Sequence, residues 1–205
     1  MNKFWAHFIS VVFQPLLIPS YIFLGILYFL PYSLNMNGDL AWRFISMIFM
    51  TTFLIPLMGI LLLKFTQNIT NLNMEDRKER VFPFLFNAVF YGATTYLFWE
   101  KFRFPNLVTI ILLSVTISIV VLTVITIWWK ISAHAIAIAG AAGIYMALLF
   151  KAEPSNFYYA VAFCFLFSGL VGSARLKLAA HDSPQVWFGF LVGFCLNFMT
   201  ILMLN

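Results

Sequence analysis

Three short polar segments interrupt an otherwise apolar chain, and each carries residue types suited to holding an anion. The first is Glu75-Asp76-Arg77-Lys78-Glu79-Arg80, followed by Pro83. The second is Ser132-Ala133-His134. The third runs from Ala174 and Arg175 through Lys177 to His181, then Asp182-Ser183-Pro184-Gln185. Arginine is the residue of choice for phosphate, because its planar fork bonds two oxygens at once. Each segment precedes or opens a long apolar stretch. The amino terminus of a helix offers free N–H groups and a partial positive charge, both of which favour anions. Three such ends, with Arg80, Arg175 and Lys78, can frame a phosphate. Ser183 or Asp182 suits an N-cap, with Pro184 at the first helical position. His181 then stands just before the last helix, beside the anion. A basic loop such as 77–80 also serves as a topology determinant or a lipid-headgroup contact, and a lone His134 or His7 also serves as a packing residue. The functional reading rests on their joint placement, because ionisable groups at a membrane boundary are costly.

The elements that must position these residues are membrane helices. Of 205 residues, 63% are apolar and 9% charged, with mean hydropathy +0.95; a soluble domain carries about 25% charge. Lipid removes the need for a charged surface. Seven stretches approach or exceed the roughly 20 residues that cross a hydrocarbon core: 8–30, 42–63, 82–99, 106–129, 132–150, 157–173 and 185–204. The fold class expected is an all-α polytopic bundle of six to seven helices in one domain, the count falling to six if the turn at Lys130 and Ile131 is not a true boundary. The third stretch contains Asn87, Thr94 and Thr95, which should face the bundle. The fifth is rich in Ala and Gly, so neighbouring backbones can approach it closely and it should be central. The apolar run behind Lys3 is too long for a signal-peptide core of about 7–15 residues and reads as a retained first helix.

Composition narrows the function further. Cys164 and Cys195 lie in apolar runs and read as buried thiols, not a disulfide framework. No Cys/His cluster has metal-ligand spacing. The net charge of +5 comes from local clusters, which speaks against nucleic acid as a partner. With seven crossings, the amino terminus and loops 64–81, 130–131 and 174–184 share one face. That face carries eight basic residues: Lys3, Lys64, Arg77, Lys78, Arg80, Lys130, Arg175 and Lys177. The opposite face carries four: Arg43, Lys101, Arg103 and Lys151. Counted this way, the positive-inside rule puts the first face in the cytoplasm.

The third polar segment resembles a known signature. Arg175, five residues, His181, three residues and Gln185, followed by Val186 and Gly189, are similar to the third motif of the PAP2 (type 2 phosphatidic acid phosphatase) superfamily: Ser-Arg, five residues, His, three residues, Asp. Ser132-Ala133-His134 resembles the second motif, Pro-Ser-Gly-His. The stretch ending at Arg80 resembles a degraded first motif, Lys, six residues, Arg-Pro. The three occur in the family's order between 75 and 189. The departures are Gln185 for Asp, Ala174 for Ser, Ala133 for Gly, Ile131 for Pro, Val81 for Pro and Asn73 for Lys.

The resemblance implies a PAP2-like bundle and a phosphatase with no metal or other cofactor, acting on a membrane lipid with a phosphate or diphosphate headgroup. It implies that His181 attacks phosphorus and forms a phosphohistidine, and that His134 protonates the leaving oxygen. Gln185 would bond the His181 ring and set its tautomer. Arg80, Lys78, Ser132 and Arg175 would hold the phosphoryl oxygens. It also implies a multi-pass protein of a bacterial inner membrane with an outward-facing site, in conflict with the charge count. Because Gln185 lacks the charge of Asp, the alternative is an impaired relative that binds or moves a phosphorylated lipid. Prenyl transfer would need paired Asp-rich motifs for magnesium, and apart from Glu79 the clustered acids are Glu75 and Asp76 alone.

Overall fold

In a computed structural model, the described residues are all except 31–33, 35, 68, 70–73, 75, 153–156 and 205. Among them there are helices and no strand. Seven helices are long and apolar enough to cross a membrane: Lys3–Phe29, Gly38–Phe65, Lys78–Lys101, Asn106–Trp128, Ala133–Lys151, Phe157–Lys177 and Ser183–Leu204. The fourth and fifth spans are separate, so the expectation of six to seven resolves to seven. Large apolar side chains such as Phe65, Met58, Trp128, Phe150 and Trp187 remain exposed on the outside. An exterior of this kind suits lipid.

Several spans exceed the expected limits, and the polar segments move as a result. The sixth continues to Lys177, so Arg175 sits in a last helical turn instead of a loop. The third begins at Lys78, so Arg80 belongs to a first turn. Asn73 and Glu75 lie outside the described residues.

The first span is broken. It is helical over Lys3–Val12, turns through a short 3-10 stretch at Pro15–Leu17 and resumes over Ile18–Phe29. Pro15 has no N–H to donate, and Gln14 before it is held out of the α region at φ −57°, ψ 128°. The second span contains a π turn at Met50–Leu54, just ahead of Pro56. Pro56 cannot donate to the carbonyl of Thr52. The Tyr91 hydroxyl donates to that carbonyl at 2.7 Å instead, from the third span.

The fifth span is the most buried of the seven and packs most extensively against the seventh. Its centre lacks bulk for a reason. A methyl at Gly193 would collide with the backbone oxygen of Ile136, and one at Gly143 with that of Phe194. Between membrane helices water supplies no hydrophobic drive, so close backbone packing through small residues supplies the attraction instead.

Candidate functional site

Arg80, His134, Arg175 and His181 line one cavity of about 180 Å³, which runs from the polar segments into the bundle. The four residues come from the third, fifth and sixth spans and from the turn before the seventh. The broken part of the first span contributes Gln14 and Pro15 to the same wall. Irregular backbone is tolerated at membrane depth where it lines such a cavity. The lining includes no described Asp or Glu. A buried Arg80 and a half-buried Arg175 without a carboxylate among that lining make a strong attractor for anions.

His181 is held from both sides. The sixth span ends in a Schellman arrangement: Ala180 N–H donates to the Arg175 carbonyl at 3.1 Å and Ala179 N–H to the Leu176 carbonyl at 3.0 Å. Ala179 takes the left-handed conformation this requires, at φ 51°. Three residues later the Asp182 carboxylate caps the last helix by accepting from Gln185 N–H at 2.9 Å. Asp182 is therefore the N-cap, and Pro184 is the second residue of a helix that opens at Ser183, not the first.

The ring of His181 is oriented by side chains alone. Gln185 Nε2 donates to Asp182 Oδ2 at 2.9 Å, so its Oε1 faces His181 Nδ1, also at 2.9 Å. An amide oxygen only accepts. Nδ1 must carry the hydrogen, and Nε2 keeps its lone pair. Nε2 lies 3.4 Å from Arg80 Nη1, which donates towards it. Burial pushes the His181 pKa down to about 4, helped by the charges of Arg80, Arg175 and Lys130 and opposed by the bond to Gln185. At neutral pH the ring is uncharged, as a nitrogen nucleophile must be.

Arg80 is fixed by its Nε, which donates to the carbonyl of Met74 at 2.7 Å, while its fork end faces the cavity and His181. Arg175 and His134 meet on one residue. Arg175 Nη1 donates to Ser10 Oγ at 3.2 Å, and His134 Nε2 donates to the Ser10 carbonyl at 3.0 Å. Arg175 Nε is buried without a hydrogen-bond partner. An unsatisfied charged donor in a cavity calls for an anion or ordered water.

Two expected phosphate ligands stand elsewhere. Ser132 is fully buried, outside the cavity lining, and caps the fifth span by accepting from Ala135 N–H at 3.3 Å. Lys78 is exposed and also outside the lining; its backbone N–H bonds the Asp76 carboxylate at 3.0 Å. Arg77 bonds the Ile127 carbonyl, which ties the third span to the end of the fourth. Ser10 and the coupling of Asp182 to His181 were not expected from the sequence. A serine in an apolar run carries no signal that two distant cationic side chains converge on it. Asp182 had a visible role as a cap that hid its second one. Among the described residues, no three metal-ligating side chains come together. No family model, curated protein or solved structure matches the chain.

Proposed function

We propose that the chain is a membrane-embedded phosphatase of PAP2 type, cleaving a phosphomonoester or diphosphate of a lipid through a phosphohistidine on His181. What carries the reading is the shared cavity: buried Arg80 and half-buried Arg175 line it together with a histidine whose Nε2 lone pair points at Arg80. A phosphate that takes over the Arg80 Nη1 contact of Nε2 would present phosphorus to that lone pair. The His181 Nε2–phosphorus bond forms as the bond from phosphorus to the lipid oxygen breaks. Arg80 and Arg175 stabilise the charge that builds on the equatorial oxygens. The departing lipid alkoxide takes its proton from His134, which enters the step protonated. Water then attacks the phosphohistidine, passing a proton back to His134 and releasing inorganic phosphate. The lipid tail stays in the bilayer throughout.

This reading places the multi-pass chain in a bacterial inner membrane; tags on both termini with protease access would report its orientation. The decisive assay is phosphate release from a panel of lipid phosphates by purified protein in detergent. His181→Ala should reduce release to background. Unchanged release excludes His181 as the nucleophile.

One observation favours binding without turnover. The Nε2 of His134 is bonded to the Ser10 carbonyl, so its proton points away from a leaving group unless the ring turns. Under that reading a lipid phosphate binds to wild type and His181→Ala alike, and neither releases phosphate.

A further inference from the structure

Besides its charged residues, the cavity is lined by Ile22, Val115, Ile119, Leu122 and Ile144. A wall of this kind suits a hydrocarbon chain. Two carboxamides break it, Asn87 on the third span and Asn197 on the seventh. Asn87 is 5% exposed and Asn197 2% exposed. The Oδ1 of each is buried without a hydrogen-bond partner.

The orientation of Asn197 is fixed by its surroundings. Its Nδ2 donates to the Gly193 carbonyl at 2.8 Å and to Ser118 Oγ at 2.8 Å, while Ser118 donates onward to the Ser114 carbonyl at 3.0 Å. Both amide hydrogens are committed, and the free atom is an acceptor. Gly140 supplies the space: a methyl there would stand 2.7 Å from Asn197 Nδ2. Asn87 follows Arg80 by seven residues, about 10 Å along the same helix.

We propose that Asn87 and Asn197 form a second polar subsite, which recognises a hydrogen-bond donor (a hydroxyl or an amide N–H) on the chain of the bound lipid phosphate. The proposal rests on the reading of the cavity as a lipid-phosphate site. It adds the substrate class: a lipid phosphate whose chain carries a donor roughly eight carbons from phosphorus, the reach of a rise of about 10 Å. A plain alkyl chain would leave the Asn197 acceptor and the Asn87 amide unpaired. Sites built to bond a hydroxyl discriminate strongly against the analogue that lacks it.

The test compares straight-chain alkyl phosphates of one length, unsubstituted or hydroxylated at carbon four, six, eight or ten. Affinity is measured on the His181→Ala protein in detergent, and phosphate release on wild type. The expected result is tighter binding of the compound hydroxylated near carbon eight by about tenfold or more, the value of one hydrogen bond to a buried acceptor. Asn197→Leu and Asn87→Leu should each erase that preference without weakening the unsubstituted compound. Equal affinity across the series in wild type overturns the proposal. So does a loss that falls equally on hydroxylated and plain chains, because the asparagines then serve packing or hold water only. If Asn197→Leu fails to fold, Asn87→Leu and the wild-type series decide the matter. If no compound releases phosphate, the phosphatase reading fails, while the binding series still judges the subsite. If no compound binds at all, both fail.

Discussion

His181 and Asp182 are neighbours in the chain, yet the carboxylate reaches the imidazole through the amide of Gln185, with 2.9 Å at each of the two side-chain contacts. The amide holds the tautomer that a directly bonded carboxylate would hold. What it does not place beside the ring is the full negative charge, which sits one group further away.

That arrangement makes the charge movable. Asp182→Asn frees the Gln185 amide to turn and offer its NH2 to Nδ1. We expect phosphate release to fall about 10- to 100-fold, the range seen when outer partners of ligating histidines are removed. Gln185→Glu alone should also lose activity, because two carboxylates would meet where the amide now donates to Asp182. The double variant Asp182→Asn with Gln185→Glu should recover at least the wild-type rate, as the charge then contacts the ring directly. A double variant no better than either single would show that Asp182 acts only as a helix cap.

Arg80 makes two separate uses of its guanidinium, Nε to Met74 and Nη1 towards His181. A lysine has one ammonium and cannot reproduce the fork. Arg80→Lys should therefore cost about 10- to 100-fold in kcat/KM, corresponding to roughly 1.5–3 kcal/mol for a hydrogen bond involving a charged group. The measurement is steady-state phosphate release across substrate concentration.

The depressed pKa of His181 gives two opposite signatures on acidification. Its ring stays neutral down to about pH 4, so the nucleophile itself should not limit the rate between pH 5 and 7. Stability behaves differently. An unfolded histidine takes up a proton near pH 6.5, whereas the folded one resists until about pH 4. The unfolded state binds more protons in that window, so stability contributed by His181 is lost as pH falls from 6.5 to 4. Thermal unfolding in detergent should show a decline over that window, reduced in His181→Gln.

Tyr91→Phe removes the donor that satisfies the Thr52 carbonyl ahead of Pro56. Water cannot replace it, since Thr52 is 0% and Tyr91 1% exposed. The cost should be about 1–3 kcal/mol, that of a buried orphaned acceptor. Ala179→Gly has the opposite sign. The left-handed conformation at φ 51° costs alanine about 1–2 kcal/mol, and glycine adopts it freely, so unfolding should move to higher temperature. An unchanged midpoint in either variant contradicts the corresponding account.

The amino-acid order alone determined a bundle of six to seven spans, because about 20 apolar residues in a row have few alternatives to crossing a bilayer, and the fold decided that the fourth and fifth are separate. It also marked the Gly- and Ala-rich fifth span as central and singled out Arg80, His134, Arg175 and His181. Buried charge is too costly to be scattered at random in such a chain. It could not separate Arg80 from Lys78: two residues apart, they point about 200° apart around a helix, and packing chose which one entered the cavity. Nor could it separate the two uses of a serine at a helix start, so Ser132 proved to be a cap. The meeting of Arg175 and His134 on Ser10 joins positions 165 and 124 residues distant. Contacts at that separation follow from how helices pack against one another, and spacing along the chain carries no record of them. The same holds for Asn87 and Asn197, whose isolated carboxamides matter only because the folded bundle leaves a cavity beside both.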